Sequence, residues 1–159
     1  MEIQLQSGQN ISLRTATVAD VEALQNLVKQ YYEFDQIPYV PDEIESGLRT
    51  LLSDGSLGQA WLVLQGTQPA GYVIFTYGFD VEFGGRLATI TDLYLDPGHR
   101  RQGLGGKVLQ HVETFCRSIG LRGLELQVES DNTEARALYT KFGFRPADRI
   151  PMSKRIKPL

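Results

Sequence analysis

The stretch His99-Arg100-Arg101-Gln102-Gly103-Leu104-Gly105-Gly106-Lys107-Val108-Leu109 constrains this chain most, because it follows an apolar strand pattern and runs directly into an amphipathic helix pattern. The first turn of a helix leaves backbone N–H groups without intrahelical partners, and the helix dipole adds partial positive charge where they converge. A glycine-rich turn between strand and helix is therefore suited to an anion such as phosphate. Glycines at 103, 105 and 106 would let a pyrophosphate approach the backbone without a Cβ in the way, and Arg100, Arg101 and Lys107 place positive charge around it.

Spacing separates the known uses of such a turn. A P-loop anchored on Gly106 and Lys107 needs glycine where Arg101 stands and Ser or Thr where Val108 stands, so it fails twice. The dinucleotide fingerprint G-x-G-x-x-G from Gly103 puts Val108 at its last glycine and lacks the N-terminal strand-turn-helix unit. The pattern [RQ]-x-x-G-x-[GA] is met by Arg100, Gly103 and Gly105. Downstream, Asn132-Thr133-Glu134-Ala135-Arg136-Ala137-Leu138-Tyr139-Thr140-Lys141-Phe142-Gly143-Phe144 follows N-x-x-A-x-x-L-Y-x-x-x-G-F. In order and spacing the two segments resemble the GCN5-related N-acetyltransferases, over roughly residues 60 to 157.

Length fits one domain with a substantial core, so residues 1–159 are read as a single N-acetyltransferase domain, with 1–10, polar and unpatterned, as a loosely ordered start. Ile11 to Arg14 alternates as a short strand. Thr17 and Asp20 form a capping-box pattern ahead of a helix with Val21, Leu24, Val28 and Tyr31 on its apolar face, ending near Phe34. A second helical pattern holds Ile44, Leu48, Leu51 and Leu52. Strand runs follow at Ala60 to Gln65, Ala70 to Phe79 and Leu87 to Leu95, with hairpin signals between them. The long helix from Leu104 is capped by Gly120, Gly123 to Glu129 is a strand, Asn132 to Phe142 a short helix, and Ile150 to Ile156 a final strand. The fold class is α/β, and the resemblance implies a mixed, mostly antiparallel sheet of six to seven strands flanked by about four helices. It also implies that strands 87–95 and 123–129 splay apart, with the pantetheine arm of coenzyme A in the gap.

Charge and cysteine content narrow the partners. A formal net charge of −3 argues against broad nucleic-acid binding and tolerates a cationic substrate. No apolar run is long enough to span a bilayer, and Met1-Glu2-Ile3-Gln4-Leu5 lacks the features of a signal peptide, so no membrane association and a cytoplasmic location are expected. One cysteine, Cys116, excludes an intrachain disulfide, and with only His99 and His111 no metal site is expected. Cys116 lies on the apolar stripe with Val112, Phe115 and Ile119, so it reads as core rather than as an acyl-carrying nucleophile. His99 reads as loop packing and His111 as a solvated helix residue.

Acetyl transfer to an amine needs a neutral nucleophile. An alkyl ammonium is deprotonated about one part in a thousand at neutral pH, a cost of roughly 4–5 kcal/mol unless the protein removes the proton. The resemblance implies acetyl-coenzyme A as cosubstrate, with backbone at Leu93, Tyr94 and Leu95 near the thioester and pyrophosphate at Arg100, Arg101, Gln102, Gly103, Leu104, Gly105, Gly106 and Lys107. It further implies contacts to the arm from Asn132, Ala135 and Tyr139, with Tyr139 as the acid for the departing thiolate. Asn132 reads independently as a helix cap, and Tyr139 as an aromatic on an apolar helix face. Where related enzymes carry an acidic pair before the loop, this chain has Thr91-Asp92, and strand alternation alone does not decide which of the two faces the cleft. Asp92 is the first candidate base, Glu129 its rival and Glu82 a distant third. Tyr31, Tyr32, Glu33 and Asp35, with Tyr39, are the candidate acceptor contacts, suited to a small-molecule amine. Phe79 and Phe83 on a hairpin suggest a homodimer. A coenzyme A-binding sensor without catalysis, and acetylation of a protein amine, are the alternatives left open.

Overall fold

The computed structural model describes residues 3–7 and 9–156. One mixed sheet runs in the order β1 (Ile3–Ser7), β2 (Gln9–Thr15), β3 (Gly58–Gln65), β4 (Gln68–Asp80), β5 (Gly85–Leu95) and β6 (Gly123–Leu126). The first five pair antiparallel, each with the next, and β6 joins β5 in parallel. Helices α1 (Val21–Phe34) and α2 (Pro41–Ser53) lie between β2 and β3, α3 (Leu104–Ser118) between β5 and β6, and α4 (Thr133–Lys141) after β6.

The period-2 alternation of the strands builds a core on each face of the sheet. On one side Trp61, Val63, Val73, Phe75, Ala88 and Ile90 meet Val108, Leu109, Val112 and Cys116 of α3. On the other, Leu62, Leu64, Tyr72, Ile74 and Tyr94 meet Val21, Leu24, Leu27 and Val28 of α1 and Leu48 of α2. Each such side chain, fully buried, contributes about 1.5–3 kcal/mol. The Thr17–Asp20 pattern caps a single 3-10 turn, Val18–Asp20, that leads into α1: Asp20 Oδ2 accepts from the Thr17 N–H at 2.7 Å.

The strand inventory differs from the expected one at both ends. Ile3–Ser7 pairs with Gln9–Thr15 from Ile3 opposite Leu13 to Ser7 opposite Gln9, where a loose start was expected. Ile3 and Leu5 alternate with Gln4 and Gln6, a period-2 pattern of only two apolar positions, and the stretch pairs along the free edge of β2; residues 1, 2 and 8 lie outside the described residues. Strand β6 ends at Leu126 rather than Glu129. Residues 150–156 form no strand: Pro151 removes a ladder donor, and Ile150, Met152 and Ile156 are exposed, with no sheet face to bury them. Ion pairs from Arg149 to Glu82 (2.9 Å) and from Arg155 to Glu43 (2.7 Å) tie this segment to the β4–β5 hairpin and to α2.

Candidate active site

Strand β5 pairs with β6 only from Leu87 opposite Gly123 to Ile90 opposite Leu126. From Thr91 to Leu95 it runs on beside β4 alone, because β6 ends at Leu126; this unpaired edge lies where the gap between the two strands was expected. The opening coincides with a bulge, since Ile74 faces Asp92 while Phe75 faces Ile90, leaving Thr91 as the extra residue. The bulge inverts the parity of the strand. Ala88 and Ile90 belong to the core under α3, whereas Tyr94 belongs to the core under α1 and α2, and Asp92 turns to the same side as Tyr94.

There the Tyr72 hydroxyl donates to Asp92 Oδ2 at 3.0 Å. Burial pushes the Asp92 carboxyl above its ordinary value, and the Tyr72 hydrogen bond opposes part of that rise. Around it the tyrosines form a connected wall: ring centroids are 6.2 Å apart for Tyr72 and Tyr94, 5.9 Å for Tyr94 and Tyr31, 5.8 Å for Tyr31 and Tyr32, and 6.3 Å for Tyr32 and Tyr39. The Tyr31 phenol is raised by burial, then by the charge of Asp35 and its hydrogen bond, then by Asp92 and Tyr139. Tyr32 is raised by burial and by Asp92. Tyr31, Tyr32, Asp35, Asp92 and Tyr139 thus share one electrostatic neighbourhood.

Tyr139 reaches it from α4. The ring packs edge-on against Phe144 with centroids 5.9 Å apart, and burial, with the charge of Asp35 behind it, raises its phenol, so it is protonated at neutral pH. Asn132 caps α4, its Oδ1 accepting from the Ala135 N–H at 3.0 Å.

Other candidates lie elsewhere. Glu33 is exposed and 3.9 Å from Lys29 on the outer face of α1. Glu129 is exposed in the turn after β6, beyond the point where pairing stops, and Glu82 is engaged by Arg149. His111 is half-buried rather than solvated, with Nδ1 2.7 Å from the Lys107 carbonyl oxygen. His99 Nε2 lies 3.0 Å from Gln65 Oε1, which pins the turn before the glycine loop to the end of β3. Among the described residues no three His, Cys, Asp or Glu side chains come together as metal ligands.

The glycine loop divides its labour differently from the sequence expectation. Gly103 is left-handed (φ 73°) with open space where a Cβ would sit, and Arg101 also adopts a positive φ of 59°, unusual for a residue with a side chain. The turn at Gly103 thus leads into the start of α3 with its outer side unobstructed. Gly105 and Gly106 instead face α4: a Cβ on Gly106 would lie 2.8 Å from the Phe142 ring, and one on Gly105 3.3 Å from Leu138. They admit the helix that carries Tyr139. Gln102 Nε2 donates to the Gly98 carbonyl at 3.0 Å, Arg101 lies 3.4 Å from Glu134, and Leu104 is buried. Arg100 Nε donates to the Leu95 carbonyl at 2.8 Å, and its guanidinium stacks over Phe34. Leu93 and Leu95 pack toward α3, leaving their backbone along the gap.

A splayed parallel strand pair, a left-handed glycine turn into a helix and a tyrosine helix packed on that turn define an acyl-coenzyme A-dependent transferase. The profile of the acetyltransferase (GNAT) family matches residues 21–144, and the chain belongs to that family. It is an N-acetyltransferase with acetyl-coenzyme A as cosubstrate. The chain is 26% identical over 137 residues to the N-acetyltransferase YhfO of Bacillus subtilis strain 168, covering 84% of this chain and 89% of that one. With the thialysine N-epsilon-acetyltransferase of Caenorhabditis elegans it shares 26% identity over 130 residues, 82% of this chain and 80% of that one. Among solved structures, the integron cassette protein HFX_CASS3 from the mobile metagenome of Cole Harbour Salt Marsh superposes with a TM-score of 0.82 at 30% identity, covering 98% of this chain and 95% of that one.

Sequence reasoning missed Tyr72, Gln30 and Phe34. Tyr72 carries no motif signal, being one apolar position among several in β4. No helix of the described residues is long and apolar enough to cross a membrane.

Proposed function

We propose that this chain, acting as one domain over residues 1–159, acetylates the primary amine of a small cationic molecule by direct attack. The observation that carries the reading is the convergence of a half-buried Asp92, a protonated Tyr139 and the tyrosine wall of α1 at the β5–β6 gap. Residues 101–107 would hold the pyrophosphate, and backbone from Leu93 to Leu95, with Asn132 and Ala135, the pantetheine arm. Bound there, acetyl-coenzyme A supplies an activated acetyl thioester.

The chain's own residues do the rest. Asp92, its carboxyl raised by burial, takes the proton from the acceptor ammonium, directly or through one water. A backbone N–H of 93–95 meets the developing oxyanion, and Tyr139 gives its proton to the departing sulfur. Tyr31, Tyr32, Tyr39 and Asp35 attract the cation through ring faces and charge. The thialysine acetyltransferase acts, by its name, on the side-chain amine of an amino acid, which supports a small acceptor. The exposed Phe79, Val81 and Phe83 support a homodimer, and the formal net charge of −3 argues against a nucleic-acid partner; the reaction is assigned to the cytoplasm with the rest of the reading.

The test is a panel of amines with acetyl-coenzyme A, read as thiol release and by mass of the acetylated product. Acetylation of diamines or basic amino acids supports the reading. Coenzyme binding with no turnover on any amine would favour the sensor instead.

A further inference from the structure

Arg100 opens the glycine-loop motif, yet its side chain is committed to the end of β5 and to α1. Nε donates to the Leu95 carbonyl at 2.8 Å, and the guanidinium carbon lies 4.5 Å from the Phe34 ring centroid and 5.4 Å from that of Tyr94. Phe34 is the last residue of α1 and is 60% exposed, with the Arg100 cation over its ring. A cation at a helix C-terminus is also favoured by the dipole. One turn earlier, Gln30 Oε1 accepts from the Tyr94 hydroxyl at 3.3 Å. Residues 30 and 34, one above the other on the helix, thus face the strand and loop that would hold the coenzyme. Their neighbours Tyr31 and Asp35 face Asp92 and Tyr139. The last turn of α1 is a single rigid piece with the coenzyme loop fastened to one side and the acceptor wall on the other.

We propose that Arg100 is a positioning residue that links coenzyme occupancy to the acceptor wall. This rests on the acetyl-coenzyme A reading above. Fixing the loop around a pyrophosphate fixes Arg100 over Phe34, and that contact orders the end of α1 and the segment after it, where Asp35 N–H donates to the Tyr31 carbonyl and Ile37 N–H to that of Tyr32. Gln36, left-handed at φ 55°, is the position where that segment turns. By linkage, acceptor and coenzyme then each tighten the other's binding by the same factor, roughly two- to fivefold for one exposed cation–π contact.

Hydrogen exchange of the full chain with and without saturating coenzyme A tests this without an acceptor or any turnover. In the wild type, exchange should slow at 101–106 and also at 31–37. Phe34→Leu should keep the slowing at 101–106 and coenzyme affinity within about twofold while losing it at 31–37, and Phe34→Tyr, which keeps the ring, should restore it. Arg100→Gln should lose the remote slowing too. Slowing confined to 101–106 in the wild type, or persisting at 31–37 in Phe34→Leu, overturns the proposal and leaves the coenzyme site standing. No slowing at either segment overturns both.

Discussion

Tyr72, a ring with no exposed surface, donates its hydroxyl to Asp92 at 3.0 Å across paired strands β4 and β5. Burial raises the carboxyl and this hydrogen bond lowers it, so removing the hydroxyl raises it further. A base acts when deprotonated, and its activity is therefore lost as pH falls through its pKa. Tyr72→Phe should shift the acid limb of the pH dependence of kcat/KM to higher pH while leaving activity above that limb largely intact. Asp92→Asn should lower kcat about 10²–10⁴-fold across the whole range. A Tyr72→Phe profile superimposable on the wild type would count against Asp92 as base.

Tyr139→Phe keeps the ring and its contact with Phe144 but removes the proton. Turnover should fall roughly 10²-fold, with coenzyme affinity measured by calorimetry nearly unchanged. Equal losses in both would mark Tyr139 as a binding residue.

Gly106→Ala gains about 1 kcal/mol in helix propensity but drives a methyl to 2.8 Å from a packed Phe142 ring, an overpacking that costs about 1–3 kcal/mol. The net expectation is a loss near 1 kcal/mol in urea unfolding and a larger loss in kcat, because α4 carries Tyr139. Gly105→Ala, at 3.3 Å from Leu138, should be close to neutral.

Asp20 receives both Nη atoms of Arg14, at 2.7 and 2.9 Å, and this hydrogen-bonded pair holds its carboxyl at about 2 rather than 3.8. A depressed folded pKa stabilises above the unfolded value, and the contribution disappears as pH falls from about 4 through about 2. Asp20→Asn should therefore cost about 1–2 kcal/mol at pH 7, with the difference from wild type vanishing near pH 2, as followed by circular dichroism.

Burial pushes the Cys116 thiol up to about 11, which leaves little thiolate at neutral pH. Iodoacetamide should leave the folded protein unmodified at pH 7.5 and label it in urea. Rapid native labelling that abolishes turnover would reopen the acyl-cysteine route.

Elements with strong periodicity and punctuation were legible in the sequence: Thr17 and Asp20 mark the start of the first helix, Gly103 the glycine turn, and Asn132 and Gly143 bound α4. The N-terminal hairpin was passed over, because the alternation of Ile3 and Leu5 with Gln4 and Gln6 spans only two apolar positions in an otherwise polar stretch. The strand pattern at 150–156 misled, since alternation records what a segment could bury and not whether a partner strand is present. At the candidate site, Tyr139, Asp92 and Tyr31 were named from motif and position, and the structure brings these three into one electrostatic neighbourhood. The side that Asp92 faces was not legible, because it depends on the bulge at Thr91, a pairing property that no single strand carries. Nor could the sequence distinguish a glycine that leaves room for a ligand from one that leaves room for a helix.

That last distinction bears on how this protein can change over evolutionary time. With Phe142 and Leu138 seated on Gly106 and Gly105, the loop and the tyrosine helix fit each other within one chain, and a larger residue at 106 requires a change at 142. A chimaera that brings a bulkier residue to position 106 would have to bring its own α4, so the two blocks act as one packing module despite the strand between them. The first helix meets that module through Arg100 over Phe34 and through Tyr94 to Gln30, so a change there is felt at the loop as well.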